Sequence, residues 1–225
     1  MFYDEVLEAL TSYAEPNFAD FQRRLIPTKA KILGVRTPIL RSLSKKYFSR
    51  ANEFIAFPDD YYEITFIKLS LIALMDYSDF EKNVEQAVER IDNWATCDSF
   101  KPKCLKKEKK TFLPQLEKIF LKGGEFNERF ALVLLLGYYV EEEYLPIIRS
   151  FIERAHTEYY YVHMAVAWLV AELLIKFPSV GLEFLTQRIL DEKTHNKAIQ
   201  KARESYRIDK SKKERLNALK IKSKK

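Results

Sequence analysis

The sequence predicts an all-α fold, a curved α-solenoid in which helical hairpins stack side by side. Two observations carry this. Only five glycines and eight prolines punctuate 225 residues, too few turn signals for a sandwich or barrel. Apolar residues also recur at helical spacing in segments of about ten to twenty residues joined by short connections, the pattern of stacked helical pairs. Self-similarity between the pairs is weak, so the repeats are degenerate. No low-complexity linker divides the chain, and a single domain over residues 1–225 is expected, with a basic C-terminal helix and tail from about residue 207.

The elements follow in order. Residues 3–13 form a first helix with Val6, Leu7 and Leu10 inward, ended by Pro16. Asn17 caps a short helix to Leu25, stopped by Pro27, and residues 26–35 are too broken for another. Thr37-Pro38 reads as N-cap and first helical residue of a helix over 39–48. Helices over 59–75 and from Asp79 to Ile91 come next, then a short one capped by Asn93 and limited by Pro102. Further helices are expected over 111–121, 126–139, 141–154, 158–177, 179–190, 194–206 and 210–220. Gly123-Gly124 ends the first of these, and Trp168 falls on the apolar stripe Met164, Trp168, Ala171, Ile175 of the helix over 158–177.

The net charge of +6 is local. Residues 193–225 hold thirteen Lys or Arg against three Asp or Glu, a balance of +10 that leaves −4 for the rest. A second cluster places six lysines in residues 101–110. Such clusters suit a polyanion, with a solvated face as the ordinary alternative. No segment is apolar for a membrane-spanning length and the N-terminus lacks a signal-peptide pattern, so a cytoplasmic protein with no membrane partner is expected. Cys97 and Cys104 stand seven residues apart, about 10 Å along a helix and too far to bridge. The three histidines are scattered, so neither a metal nor another cofactor is implied.

One stretch holds candidate chemistry: Asn93-Trp94-Ala95-Thr96-Cys97-Asp98-Ser99. On a helix, residues four apart share a face, which puts the Trp94 indole and the Asp98 carboxylate together, with Ile91 one turn earlier. A carboxylate on a partly apolar face calls for a reason, since buried Asp is rare unless paired or functional.

With these residues in place the chain resembles the AlkD-like DNA alkylation repair proteins, a family of HEAT-like helical repeats that includes alkylpurine DNA glycosylases. The likeness runs over nearly the whole chain. It is carried by Leu33-Gly34-Val35-Arg36-Thr37-Pro38, by Trp94 with Asp98-Ser99, by Glu128-Arg129-Phe130, by Ala167-Trp168, and by Asn196-Lys197-Ala198-Ile199 with Glu204-Ser205-Tyr206-Arg207. The resemblance implies that Trp94 and Trp168 flank the deoxyribose of a lesion, that Asp98 is the catalytic carboxylate, and that Arg129 holds the DNA backbone. Arg36, Arg41, Lys101, Lys103, Lys197, Lys201 and Arg203 are expected to contact DNA. The implied partner is double-stranded DNA, alkylated or distorted, bound by a monomer in the bacterial cytoplasm or nucleoid.

The residue types suit that chemistry. A carboxylate can stabilise an oxocarbenium-like sugar while positioning water, and aromatic faces attract the cationic sugar. N3- and N7-alkylpurines are cationic and leave without strong acid catalysis, and the family dispenses with the deep base pocket of most glycosylases. Residues 25–31, broken at Pro27 where active members have a well-formed helix, resemble a subgroup with reduced or no glycosylase activity, and Ala171, where an active member carries a basic residue, implies the loss of one phosphate clamp, which weakens DNA binding without abolishing it. Alternatives stand beside each role: Trp168 and Trp94 as core, Asp98 as a cap or partner of Lys101, Arg129 paired with Glu125 or Glu128, and His163 as structural or exposed. At the level of the protein the alternatives are a non-catalytic module for damaged or unusually structured DNA and a protein-binding solenoid.

Overall fold

The computed structural model describes residues 1–222. Among the described residues the regular secondary structure is helical, with one isolated bridge between Lys31 and Tyr61. No helix among them is long and apolar enough to cross a membrane. The chain groups into two compact units, Met1–Pro114 and the residues from Gln115 onward. Lys224 and Lys225 of the basic tail lie outside the described residues.

The first unit holds α1 (Phe2–Ser12), α2 (Pro16–Leu25), α3 (Thr37–Lys46), α4 (Ala51–Ile55), α5 (Tyr62–Leu74), α6 (Tyr77–Glu89) and α7 (Trp94–Ser99). Its centre is α5, apolar on all sides and packed by α3, α4, α6 and α7. The two charged side chains buried on α5 are both satisfied. Lys68 donates to Phe57 O and to Asp59 at 2.9 Å, and Arg90 pairs with the other oxygen of Asp59.

Several expected boundaries shift, and one helix is new, for identifiable reasons. Pro16 is the first residue of α2 and not the end of α1, because its missing N–H is no loss there. Asp76, not Asp79, caps α6, accepting the Asp79 N–H at 3.1 Å. Helix α4, unanticipated, forms where Ala51 and Phe54 reach the core. Helix α8 (Leu105–Leu121), which crosses the boundary between the units, starts six residues before Thr111. Leu105, Phe112 and Leu116 make its buried stripe, while Lys106, Lys107 and Lys110 stay in solvent.

The second unit holds α9 (Glu125–Leu134), α10 (Leu145–Arg154), α11 (Tyr160–Lys176), α12 (Pro178–Thr186), α13 (Glu192–Glu204) and α14 (Lys210–Ala218). The apolar run after Phe126 does not stay α-helical to Tyr139: Leu135–Tyr139 widens into a π turn around Gly137. Helix α11 is central, packed by α9, α12 and α13. Helix α13 runs in the same direction as α11, since Lys193 meets Tyr160 at their starts and Lys201 meets Trp168 two turns on.

Candidate functional site

Helix α7 is short, so its geometry is set by its cap. Asn93 Oδ1 accepts the Thr96 N–H at 3.0 Å, and Thr96 returns its hydroxyl to Asn93 O at 3.2 Å. Asn93, Thr96, Cys97 and Phe100 are buried, which leaves Trp94, Ala95, Asp98 and Ser99 half-buried on the other side. Trp94 and Asp98 therefore share an accessible face, as their spacing implies. Ile91 does not join it; it precedes the cap and is buried.

The indole of Trp94 is oriented by a partner remote in sequence. Its Nε1–H donates at 3.0 Å to the carbonyl of Leu25, one of the acceptors left open at the C-terminus of α2. The proline-broken residues that follow are held by Asp92. One oxygen of Asp92 accepts the Thr28 hydroxyl at 2.7 Å and the Lys29 N–H at 3.2 Å, and the other accepts from Asn93 Nδ2 at 2.7 Å. Asp92 thus ties residues 28–29 to the cap of the Trp94 helix. This role is invisible in the sequence because the partners are over sixty positions apart. A cleft of about 480 Å³ lies alongside, lined by Lys29, Lys31, Asp59, Arg90, Asp92 and Asn93 among others.

The Leu33-Gly34-Val35 motif is held by a group that sequence reasoning missed. Fully buried Glu63 accepts the N–H groups of Leu33 at 3.1 Å, Gly34 at 2.9 Å and Val35 at 3.3 Å. Burial raises its carboxyl above the ordinary value against the opposing pull of those bonds. Gly34 has φ +86°, and a Cβ there would press on Glu15 O and lie 2.6 Å from Ala19 N, so the residue must be glycine for α2 to seat. Next along, Arg36 is engaged twice: a bidentate pair with Glu15 at 3.0 and 2.7 Å and a stack over Phe18 at 3.9 Å. Arg41, Lys101 and Lys103 are exposed.

In the second unit, Arg129 is 5 % exposed and donates to Tyr161 O at 2.7 Å, its guanidinium 5.6 Å from the Tyr161 ring. Glu125 accepts the Tyr161 N–H at 2.7 Å, and buried Glu128 accepts the His156 N–H and meets its Nδ1, both at 2.8 Å. The Glu128-Arg129 motif thus fastens the start of α9 to residues 156–161. The Glu128 carboxylate beside His156 raises that imidazole's pKa.

Trp168 is 40 % exposed, which removes the core reading. The stripe of Met164, Trp168 and Ile175 is the accessible face of α11, whose other sides are fully packed. Lys201 lies 5.9 Å from the Trp168 ring, and the adjoining cleft of about 270 Å³ is lined by both and by Arg207, paired with Glu172. Lys197 donates to Gln200 at 2.9 Å, and Arg203 is exposed. His163 is structural: it is buried, with Nδ1 2.9 Å from the Thr194 hydroxyl.

The structure therefore brings Trp94 and Asp98 together on α7, and Trp168 beside Lys201, while Arg129 and Arg36 have protein partners. No cluster of ligands fit for a metal occurs among the described residues. No curated protein is similar enough to this chain to count as a match. The family model described as "DNA alkylation repair enzyme" matches residues 6–207, from Val6 within α1 to Arg207. That span takes in Asp98, both tryptophans and the motifs around Gly34 and Glu128, and the chain belongs to the DNA alkylation repair enzyme family.

Proposed function

We propose that the protein is a glycosylase that hydrolyses the N-glycosidic bond of cationic N3- and N7-alkylpurines in DNA. The observation that carries this reading is the accessible face of α7, where Asp98 follows Trp94 by one turn on a helix fixed by its side-chain cap. Asp98 stabilises the oxocarbenium-like sugar and orients the water that attacks it. Trp94, its indole N–H already engaged by Leu25, has its ring face to offer a cationic sugar. Trp168 is the other aromatic the family resemblance implies, and it stands exposed beside Lys201. The leaving base is cationic, so the site needs no general acid.

A second reading is a non-catalytic module that binds damaged DNA. It is favoured by Arg129, the expected DNA clamp, being buried against Tyr161. Release of free base from DNA carrying N7-methylguanine or N3-methyladenine separates the two under single-turnover conditions. Asp98→Asn should abolish release and leave binding within about twofold. Base release unaffected by Asp98→Asn, or none above the spontaneous rate by the wild type, would sink the glycosylase reading.

A further inference from the structure

The cleft of about 480 Å³ beside the cap of α7 falls in the range of about 300–1,000 Å³ found for small-molecule sites, and base release by Asp98 makes no use of it. Its charged groups divide into those already engaged and those still open. Asp59 is engaged: its oxygens meet Lys68, Arg90 and the Thr65 hydroxyl. Asp92 accepts the Thr28 hydroxyl and the Lys29 N–H on one oxygen and Asn93 Nδ2 on the other. The cations are less occupied. Arg90 donates through one guanidinium nitrogen and leaves the rest of its fork open. Among the described residues the Lys29 and Lys31 ammoniums make no hydrogen bond or ion pair, and Lys31 only approaches the Tyr61 ring, at 5.8 Å. Counting Lys68 behind Asp59, four cations stand against the carboxylates of Asp59, Asp60 and Asp92. Tyr62 and Thr65, from the first turn of α5, add the positive end of that helix's dipole. Three open cationic groups around one cleft select an anion.

We propose that this cleft binds a nucleoside monophosphate unit, its phosphate held by Lys29, Lys31 and Arg90 and its hydroxyl and amino hydrogens received by Asp60 and Asp92. A bare phosphate would fill little of the volume and leave those carboxylates facing it. A nucleotide brings donors to them. An ionised carboxylate has about four acceptor positions, so Asp92 keeps one after its three bonds, and Asp60 is exposed at the rim. Two sources carry this chemistry: a free mononucleotide, or a nucleotide turned out of a DNA strand, since Asn93 sets the cleft against the helix of Trp94 and Asp98. The site is independent of whether the protein releases bases.

The test is calorimetric titration of the full chain with deoxyadenosine monophosphate, with deoxyadenosine and inorganic phosphate beside it. The monophosphate should bind about tenfold or more tightly than either part. Lys29→Ala and Lys31→Ala should each weaken it about 3- to 10-fold, the worth of one phosphate contact in a solvated cleft. Lys29→Arg keeps the charge and should hold the affinity. Both lysines are exposed, so their truncation opens no core cavity, and an unchanged circular dichroism spectrum confirms the fold. Competition then separates the sources. A duplex with one bulged nucleotide that displaces the monophosphate better than a fully paired duplex assigns the cleft to an extruded nucleotide, and displacement by neither assigns it to the free one. Displacement by the paired duplex as good as by the bulged one would make the cleft a backbone contact and overturn the proposal. No binding of the monophosphate at millimolar concentration, equal binding of deoxyadenosine, or unchanged affinity in both lysine-to-alanine variants overturns it as well, whatever the outcome for base release.

Discussion

Glu63 is the keystone of the first unit, and removing it gives a sharp test of how the Trp94 helix is held. In Glu63→Ala the N–H groups of Leu33 and Gly34, now bonded at 3.1 and 2.9 Å, lose their acceptor inside a closed interior, and the weaker bond from Val35 at 3.3 Å is lost as well. Each buried donor left unpaired costs about 1–3 kcal/mol. Relief of the buried carboxylate's own desolvation offsets part of that sum, and the expected net loss is about 3 kcal/mol. Glu63→Gln keeps one carbonyl oxygen but turns an amide NH2 toward backbone donors, so about 1–2 kcal/mol is expected.

Urea unfolding in a Trp168→Phe background, with Trp94 as the sole tryptophan, reads this directly. The midpoint should fall at unchanged slope. The native emission of Trp94 should shift to the red, because Gly34 O accepts the Glu15 N–H at the start of α2, and α2 supplies the Leu25 carbonyl that holds the indole. A Glu63→Ala protein within about 0.5 kcal/mol of wild type, with native Trp94 emission unchanged, would refute this account.

Two further outcomes are expected. Arg129→Ala should destabilise the protein by about 1–3 kcal/mol in thermal unfolding, since it removes a buried, charged donor from Tyr161 O; intact stability with impaired DNA binding would instead make Arg129 a DNA clamp. His163 has a folded pKa below 6.5, so the unfolded chain takes up the proton first and stability falls as pH drops through about 6.5. His163→Gln should shrink the loss of thermal stability between pH values above and below that point, and an equal acid sensitivity in both proteins would exclude His163 as its source.

The sequence alone determined much of this protein. Helical periodicity and sparse turn residues fix an all-α chain, because both are properties of the local backbone, and the Asn93 cap with Trp94 and Asp98 four apart follows from the same local rules. The family is legible too, through motifs that survive in order. What the sequence could not supply depends on partners far apart in the chain. Glu63 looks like one more charge in an apolar helix until the chain folds it under Gly34, and Asp92 looks like a loop residue until Thr28 arrives. Trp168 shows the converse: its stripe is apolar and reads as core, yet α9, α12 and α13 cover the other faces of α11 and leave that one open. Periodicity marks which residues share a face; only the packing of neighbouring helices decides whether that face is buried or offered to a ligand.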